Sequence, residues 1–304
     1  MMSVHTTTDG HVISRVAGYA DGHRSPLSVR WGGWYVTGTT LHDFHLGNML
    51  PSDLFPVNEK KSFSGISLTS LKRKIDTSRY PMPTSDIVAL MVMEHQVRMQ
   101  NLIAAFTQTS QEIISSTHAG ERATLSALTN SDGFNYALSS LLEYMLFRDE
   151  YELKGTVRGT SDFAKKFSNL GPRDHFGRSL RDFDLHRHIF RYPCSYLVYA
   201  SGLRKAPGIA TTLLWRRLGN ILQGVDRSPP WDTMGSAEKK AVFEILMDTN
   251  QSFANVIRAD QISGNDRLGK KFDVTDETSG PYDRTDLRPI AIKNPESNSN
   301  LARR

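Results

Sequence analysis

The sequence predicts a mainly α fold: a helical bundle of about six helices, preceded by an N-terminal segment of loops and a short hairpin. From Pro83 onward, apolar residues recur at three-to-four spacing over long stretches, which is typical of amphipathic helices. Residues 1–80 are rich in Gly, Ser, Thr and Pro, and from about Asp260 the chain is polar and aperiodic. We therefore divide the chain into a loop-rich aromatic and glycine segment that packs on the core (1–80), a helical domain (81–258) and a disordered tail (259–304).

The longest predicted helix begins shortly after Pro83 and stops at Gly120. Ser85 or Thr84 is the expected cap, with Asp86 in the first turn. A helix of about thirty residues is roughly 45 Å long, so it would form the backbone of the domain. Its apolar stripe consists of Val88, Val92, His95, Met99, Leu102, Ile103 and Phe106.

Five shorter helices are expected after it. Caps and apolar stripes indicate helices in SDGFNYALSSLLEYMLFRDE, TSDFAKKFSNLG, GIATTLLWRRLGNILQG and SAEKKAVFEILMDTN, the last with Ser236 as its cap. The region DFDLHRHIFRYPCSYLVYASG is also predicted to be helical, with a kink or break at Pro193, which lacks a backbone donor. Its stripe consists of Leu185, Ile189, Tyr192, Tyr196, Tyr199 and Leu203.

Composition excludes several classes of protein. The net charge of +5 is mildly basic, but Lys and Arg are scattered among acids, which favours a salt-bridged surface over nucleic-acid binding. No apolar run approaches the roughly 18 residues of a membrane span. No signal peptide is present on the chain as given, which by itself indicates the cytoplasm. The single cysteine, Cys194, rules out intrachain disulfides, Cys-pair metal sites and the Cys-x-x-Cys-His motif that attaches a c-type haem.

The most unusual stretch is RWGGWYVTGTTLHDFHLGN, residues 30–48, which we call the aromatic segment. Two glycines between two tryptophans allow the backbone to approach another surface closely, beside broad planar side chains. Such a set suits a flat aromatic ligand or a metal. The alternative is a lid whose tryptophans pack on the helical core. The candidate cofactor-binding residues in this segment are Trp31, Gly32, Gly33, Trp34 and His45.

His95, on the apolar stripe of the long helix, is the other candidate. It is either a core histidine hydrogen-bonded to a carbonyl or carboxylate, or an imidazole directed at a metal or haem iron. The candidate metal ligands of the chain are thus His45 and His95.

Other motifs are weaker. In RDFDLHRH, acids and histidines alternate and could hold a metal on a strand, but on the predicted helix they point in different directions. GNDRLGKK nearly matches a phosphate-binding loop but lacks the final Ser or Thr and the flanking strand and helix. No nucleophile elbow, dinucleotide-binding fingerprint or H-E-x-x-H is present.

Four strings of this sequence resemble the latter part of long bacterial proteins described as c-type-cytochrome-like, or "cytochrome c domain-containing". They are HRSPLSVRWGGWYVTGT followed by H-x-G-N, VALMVMEHQ with MQNLI, GTSDFAKKF with GPRDHFGRSLRDFDL, and FRYPCSYLVYASG. The resemblance covers about residues 9–250. The chain departs from the family at Thr39, Thr40 and Leu41, where Thr-His-Gly is expected, and at His186 and His188.

The resemblance implies a signal peptide and a Cys-x-x-Cys-His motif upstream of the region that this chain matches. The chain would then be the C-terminal portion of such a protein, located in the periplasm, with any haem not covalently attached to it. The departures leave His45, within H-x-G-N, as the better candidate ligand.

Three functional hypotheses result. The first is a haem-associated electron-transfer module with a redox partner, in which the aromatic segment borders the cofactor and His95 is a second iron contact. The second is a non-enzymatic helical interaction domain that pairs with a separately encoded haem-binding part. The third, a metal-dependent hydrolase, rests on the number of histidines alone. If one wall of a site is missing, Trp31 and Trp34 are expected to be partly exposed.

Overall fold

Seven α-helices form the framework of the part of the chain that the structure describes, which confirms the mainly α prediction. The structure is a computed structural model, and it describes residues 2–3, 11, 18–19, 22–49, 67–117 and 120–262. The helices are α1 Ile87–Ser116, α2 Glu121–Thr129, α3 Asp132–Met145, α4 Phe163–Asn169, α5 Gly208–Leu222, α6 Ser236–Thr249 and α7 Gln251–Ile262. None of the described helices is long and apolar enough to cross a membrane.

Short extended pieces and 3-10 turns connect the helices. Strand β1 (Met2–Ser3) pairs antiparallel with β2 (Gly18–Tyr19), and β3 (Thr39–Thr40) pairs antiparallel with β4 (Val157–Arg158). The aromatic segment therefore pairs with a distant part of the chain. The 3-10 turns are Gly22–Arg24, Leu27–Val29, Tyr196–Tyr199, Leu203–Lys205 and Trp231–Thr233.

Helix α1 is the central element, packing against α2, α3, α4, β4 and several of the 3-10 turns. Its predicted stripe is buried throughout except at the half-buried Leu102. The apolar positions that the spacing predicts for the stretch of α3 are also buried, because the two helices bury their stripes against each other. These positions are Phe134, Ala137, Leu138, Leu141, Leu142, Met145 and Leu146. The aromatic segment joins the same core through Trp31 and Val36.

The start of α1 differs from the prediction. Asp86 is itself the N-cap, and its Oδ1 accepts the N–H groups of Val88 and Ala89 at 2.8 and 3.3 Å. Its Oδ2 accepts the N–H groups of Thr160 and Ser161 at 2.9 and 2.8 Å. One carboxylate thus caps α1 and fixes the loop before α4. At the other end, α1 stops at Ser116, and Gly120 instead occupies the N-cap position of α2.

Replacing Asp86 with Ala should lower the free energy of unfolding by about 2–4 kcal/mol, because the cap and the hydrogen bonds to a charged acceptor are lost together. Urea unfolding measures this loss. Asp162→Ala is the matched control, since Asp162 lies at the N-cap position of α4 without making a capping hydrogen bond. Its exposed ion pair with Lys166 is expected to contribute less than about 1 kcal/mol. Equal losses in the two variants would contradict this role of Asp86.

The prediction of a helix over DFDLHRHIFRYPCSYLVYASG was wrong. Phe183 and Phe190 form an antiparallel bridge around a tight turn, and Leu185 has a φ of +55°. Asp184 Oδ2 accepts the N–H groups of Arg187 and His188, and such a side-chain acceptor competes with helical hydrogen bonding. Only Tyr196–Tyr199 adopts a 3-10 turn. The residues of the predicted stripe are still buried or half-buried. Their apolar side chains therefore indicated burial in the core correctly, although the backbone that carries them is not helical.

Two helices were not predicted, α2 and α7. Helix α7 follows α6 after a break at Asn250, whose Oδ1 accepts the Phe253 N–H at 3.1 Å and so starts the new helix. Helix α7 includes residues 259–262, which the sequence assigned to the tail. The rest of the predicted tail, 263–304, lies outside the described residues. The described residues up to Gln261 belong to one compact unit.

Candidate functional site

The aromatic segment is a loop held by its own last residue. Asn48 donates its N–H to the Trp34 carbonyl at 2.9 Å, and its side-chain amide bonds both the N–H and the carbonyl of Val36. Trp31 and Gly33 have positive φ angles of 65° and 77°. Glycine adopts such a conformation easily, whereas tryptophan does so at a cost that surrounding contacts must offset. The conformation of the segment is therefore fixed by specific hydrogen bonds.

The same segment is joined to the start of α1. Thr37 donates its N–H to the Ser85 carbonyl at 2.7 Å and accepts the Ile87 N–H at 2.9 Å. Gly38 follows, and a Cβ at this position would lie 2.3 Å from the Ile87 side chain and 2.8 Å from the Arg158 carbonyl oxygen. Only glycine permits this close approach. The loop thus lies at a set position over the N-terminal half of α1.

The candidate residues of the aromatic segment differ in their exposure to solvent. Trp31, Gly32 and His45 are buried, whereas Gly33 is exposed and Trp34 is 40% exposed. Partial exposure therefore holds for Trp34 but not for Trp31, which is fully buried. The His45 ring packs edge-on against Trp31 at 5.3 Å between centroids. Burial lowers the pKa of His45 to about 4, partly offset by the adjacent Gly47 backbone.

A buried ion pair connects the segment to α1. Arg30 Nη1 lies 3.1 Å from Glu94 Oε2, and both side chains are almost fully inaccessible to solvent. The guanidinium also donates from Nε and Nη2 to the Ser25 carbonyl. Burial raises the pKa of Glu94, against the opposing effects of Arg30 and Trp31, and lowers the pKa of Arg30. The attraction between the two charges thus offsets only part of the free-energy cost of removing them from water.

Beside Glu94, His95 lies in a fully buried arrangement of His23, His95 and Ser195, which we call the histidine cluster. His95 Nδ1 is 2.9 Å from His23 Nδ1, and His95 Nε2 is 2.7 Å from Ser195 Oγ. Because Nδ1 meets Nδ1, one imidazole donates and the other accepts, so at least the accepting ring is neutral in this arrangement. Both ring nitrogens of His95 are therefore engaged inside the protein.

Aromatic rings enclose the cluster. His95 stacks on Phe147 at 4.6 Å and 14° and on Tyr144 at 5.3 Å and 8°, and His23 packs on the same two rings. Phe190 and Tyr196 complete the wall. Burial lowers the pKa of His95 to about 3. The pKa of His23 is lowered well below its usual value, first by burial and then by neighbouring positive charge.

The structure places the predicted candidates His45 and His95 in separate environments. His45 packs on Trp31, whereas the histidine that contacts His95 is His23, which the sequence analysis missed together with Ser195. The one sequence feature next to His23 that indicates a special backbone position is the preceding residue, Gly22. The structure shows why a glycine is needed there. Gly22 has a φ of +54°, and a Cβ there would lie 1.9 Å from the Tyr144 hydroxyl, so only glycine lets this turn reach the core.

The fit to a metal or haem is limited by this packing. Among the described residues, no group of three or more His, Cys, Asp or Glu side chains could hold a metal ion. His95 has no ring nitrogen left for an iron atom. The Nδ1 atom of His45 is buried without a hydrogen bond of ordinary geometry, but it lies directly against Gly47. The residues present, as they are packed here, do not fit a haem on His95.

The alternating acids and histidines of RDFDLHRH are separated in the structure. Asp182 pairs with Arg173 at 2.8 Å, and His188 Nδ1 lies 2.9 Å from Glu150 Oε2. His186 Nδ1 instead lies 3.2 Å from the Thr156 hydroxyl. Glu150 raises the pKa of His188, which is the behaviour of an ion-paired surface histidine. These side chains serve local ion pairs and turns rather than one shared centre.

The fold and site define a mainly α domain built around a buried imidazole pair, with an aromatic loop fixed over its longest helix. No family model, curated protein or solved structure matches this chain. The resemblance to c-type-cytochrome-like proteins therefore stays a prediction.

Proposed function

We propose that this chain is a non-enzymatic helical interaction domain that docks a haem-bearing protein domain and so takes part in electron transfer. One observation carries the proposal: Trp31 is fixed in the core, while Trp34 and Tyr35, three and four residues on, are 40% and 41% exposed. Leu41, in the same segment, is 64% exposed. We call Trp34, Tyr35 and Leu41 the aromatic surface.

A docking role suits the physical character of this surface. Trp and Tyr supply large contact areas and are enriched among the residues that dominate binding energy. The segment beneath them is already held by Asn48 and Thr37, so little further ordering of the backbone is required on association. A rigid aromatic loop thus offers affinity at low entropic cost.

The histidine geometry favours docking over haem binding by this chain alone. His95 is saturated by His23 and Ser195, which leaves the partner to supply the iron ligands. The resemblance of the sequence to c-type-cytochrome-like proteins supports a haem-bearing domain as the partner. A second candidate function, haem binding by the chain itself, is favoured only by the buried His45 Nδ1 beside Trp31. A metal-dependent hydrolase finds no ligand group among the described residues.

The test is titration calorimetry of the purified chain with a purified c-type cytochrome domain from the family that the sequence resembles. We expect binding that weakens at least about tenfold in a Trp34→Ser/Tyr35→Ser variant, since each hot-spot aromatic contributes more than about 1 kcal/mol. Tyr136→Ser is the matched control, because Tyr136 is 77% exposed on α3, outside the segment. Absence of binding, or an equal loss in the control, would rule out docking through the aromatic surface.

Haemin titration of the same preparation separates the second candidate. Docking alone predicts no Soret shift with the isolated chain. A stoichiometric shift that is abolished by His45→Gln but kept by His42→Gln, an exposed histidine three residues away, would replace the docking proposal with haem binding by His45.

A further inference from the structure

A groove far along the chain from the aromatic segment has the chemistry of an anion site. It has a volume of about 690 Å³ and lies between the end of α5 and the first turns of α6. This volume falls within the range of small-molecule sites, about 300–1,000 Å³. We propose that the groove binds a small molecule with an anionic head, such as a phosphate monoester, and an apolar body.

The central observation is a buried ammonium without a counter-ion. Lys239 is only 8% exposed, and its Nζ donates to the Trp231 carbonyl at 2.7 Å. No carboxylate among the described residues lies within ion-pair distance of it. An ammonium has three donors, and the Trp231 carbonyl accepts from one of them, so two donors remain for a group bound in the groove. Buried charges are normally paired, so an anion in the groove would supply the partner that the fold does not.

The rest of the lining has the same sign. Arg227 donates from Nε to the Gly224 carbonyl at 2.9 Å and has no carboxylate partner in the described part of the chain. Lys240 adds a third cation, only loosely paired with Glu244 at 3.8 Å. Asp232 is the one acidic residue in the lining. Three cations against one acid make the groove attractive to anions.

Apolar side chains define the second half of the ligand. Leu222, Met234 and Phe243 line the groove beside the cations. A bare ion would leave this wall in contact with water, whereas an aryl or alkyl group would bury it. The loop that forms one side is held by the Arg217–Asp226 ion pair at 2.8 Å and by the buried Trp231.

The N-terminus of α6 itself is not the proposed binding element. Glu238 accepts the Gly235 N–H at 3.0 Å, so this helix end already has its own carboxylate. Binding is therefore assigned to the side chains of Lys239 and Arg227, and their replacement is the decisive change.

The experiment is calorimetric titration of the full chain with inorganic phosphate, phenyl phosphate and phenol at pH 7.5. We expect phenyl phosphate to bind, phosphate to bind more weakly because it leaves the apolar wall uncovered, and phenol, which lacks the charge, not to bind. Lys239→Met and Arg227→Gln should each weaken phenyl phosphate binding at least about tenfold. Lys166→Met, at an exposed lysine of α4, is the matched control and should leave binding unchanged.

Arg227 is exposed, so Arg227→Gln is expected to fold even if Lys239→Met does not. No binding of phenyl phosphate at millimolar concentration would overturn the proposal. Equal binding by wild type and Arg227→Gln, or an equal loss in Lys166→Met, would overturn it as well. Each of these outcomes is independent of the docking experiment on the aromatic surface.

Discussion

Replacing Glu94 with Leu is expected to lower the free energy of unfolding by about 3–5 kcal/mol, because it leaves the Arg30 guanidinium buried without its carboxylate. This is a large fraction of the 5–15 kcal/mol that a typical domain has in total. Urea unfolding at neutral pH measures it. A loss below about 1 kcal/mol would show that water or another acceptor reaches Arg30 and that the pair is not closed as described.

The double variant Arg30→Met/Glu94→Leu gives the sharper result. Burial shifts the pKa values of both partners toward their neutral forms, so desolvation is not fully repaid by their attraction. Removing both charges in favour of apolar side chains of similar size should therefore recover most of the stability lost in the single variant. A double variant as unstable as Glu94→Leu alone would mean that the bonds from Arg30 to the Ser25 carbonyl, rather than the ion pair, hold the loop.

The second large effect is a loss of stability in acid through the histidine cluster. The pKa of His95 is about 3 in the folded chain, against 6.5 for an ordinary histidine, so below pH 6.5 the unfolded chain binds the proton more readily. The contribution of the neutral, buried His95 to stability is complete above pH 6.5. It is lost as the pH falls toward the pKa of His95 in the folded chain. At pH 4.5, which is two units below the pKa of an ordinary histidine, the expected loss of unfolding free energy through His95 alone is roughly 3 kcal/mol.

His23 adds to this effect in the same direction, since burial and the charges of Arg24 and Arg30 lower its pKa also. Urea unfolding at pH 7.0 and pH 4.5 measures the difference. His95→Gln, which keeps hydrogen-bonding capacity but cannot titrate there, should make stability less dependent on pH. His186→Gln, at an exposed histidine, should leave the pH dependence as in wild type. Identical pH dependence in all three proteins would mean that the cluster is not buried in its neutral form.

The two networks meet at neighbouring positions of α1. Glu94 holds the aromatic segment through Arg30, and His95 holds the preceding turn through His23. One turn of α1 therefore anchors the chain at His23 and at Arg30, just before the aromatic surface. We expect variants at either network to weaken docking as well, because the outward tryptophan depends on the position of the buried one.

The sequence by itself determined the helices whose apolar period is long and continuous. The stripe of α1 and the apolar positions of α3 follow from spacing alone, because a helix with a single apolar face has one way to bury it. Residues 182–203 show where this reasoning fails. Their apolar side chains are also spaced by three and four, but Asp184 and Pro193 interrupt helical hydrogen bonding, and the same side chains are buried from a turn and a bridge.

What only the tertiary structure decided is which polar residues meet. The sequence singled out His95 as a candidate ligand, but its neighbours His23 and Ser195 lie 72 and 100 residues away, and no local period reports such a pairing. The sequence also could not predict that Trp31 is buried and Trp34 exposed. That difference depends on the positive φ at Trp31 and on the hydrogen bonds of Asn48 to Val36. Local spacing determines which faces are apolar; the partners of a buried charge or imidazole are set by long-range packing, where desolvation allows only matched neighbours.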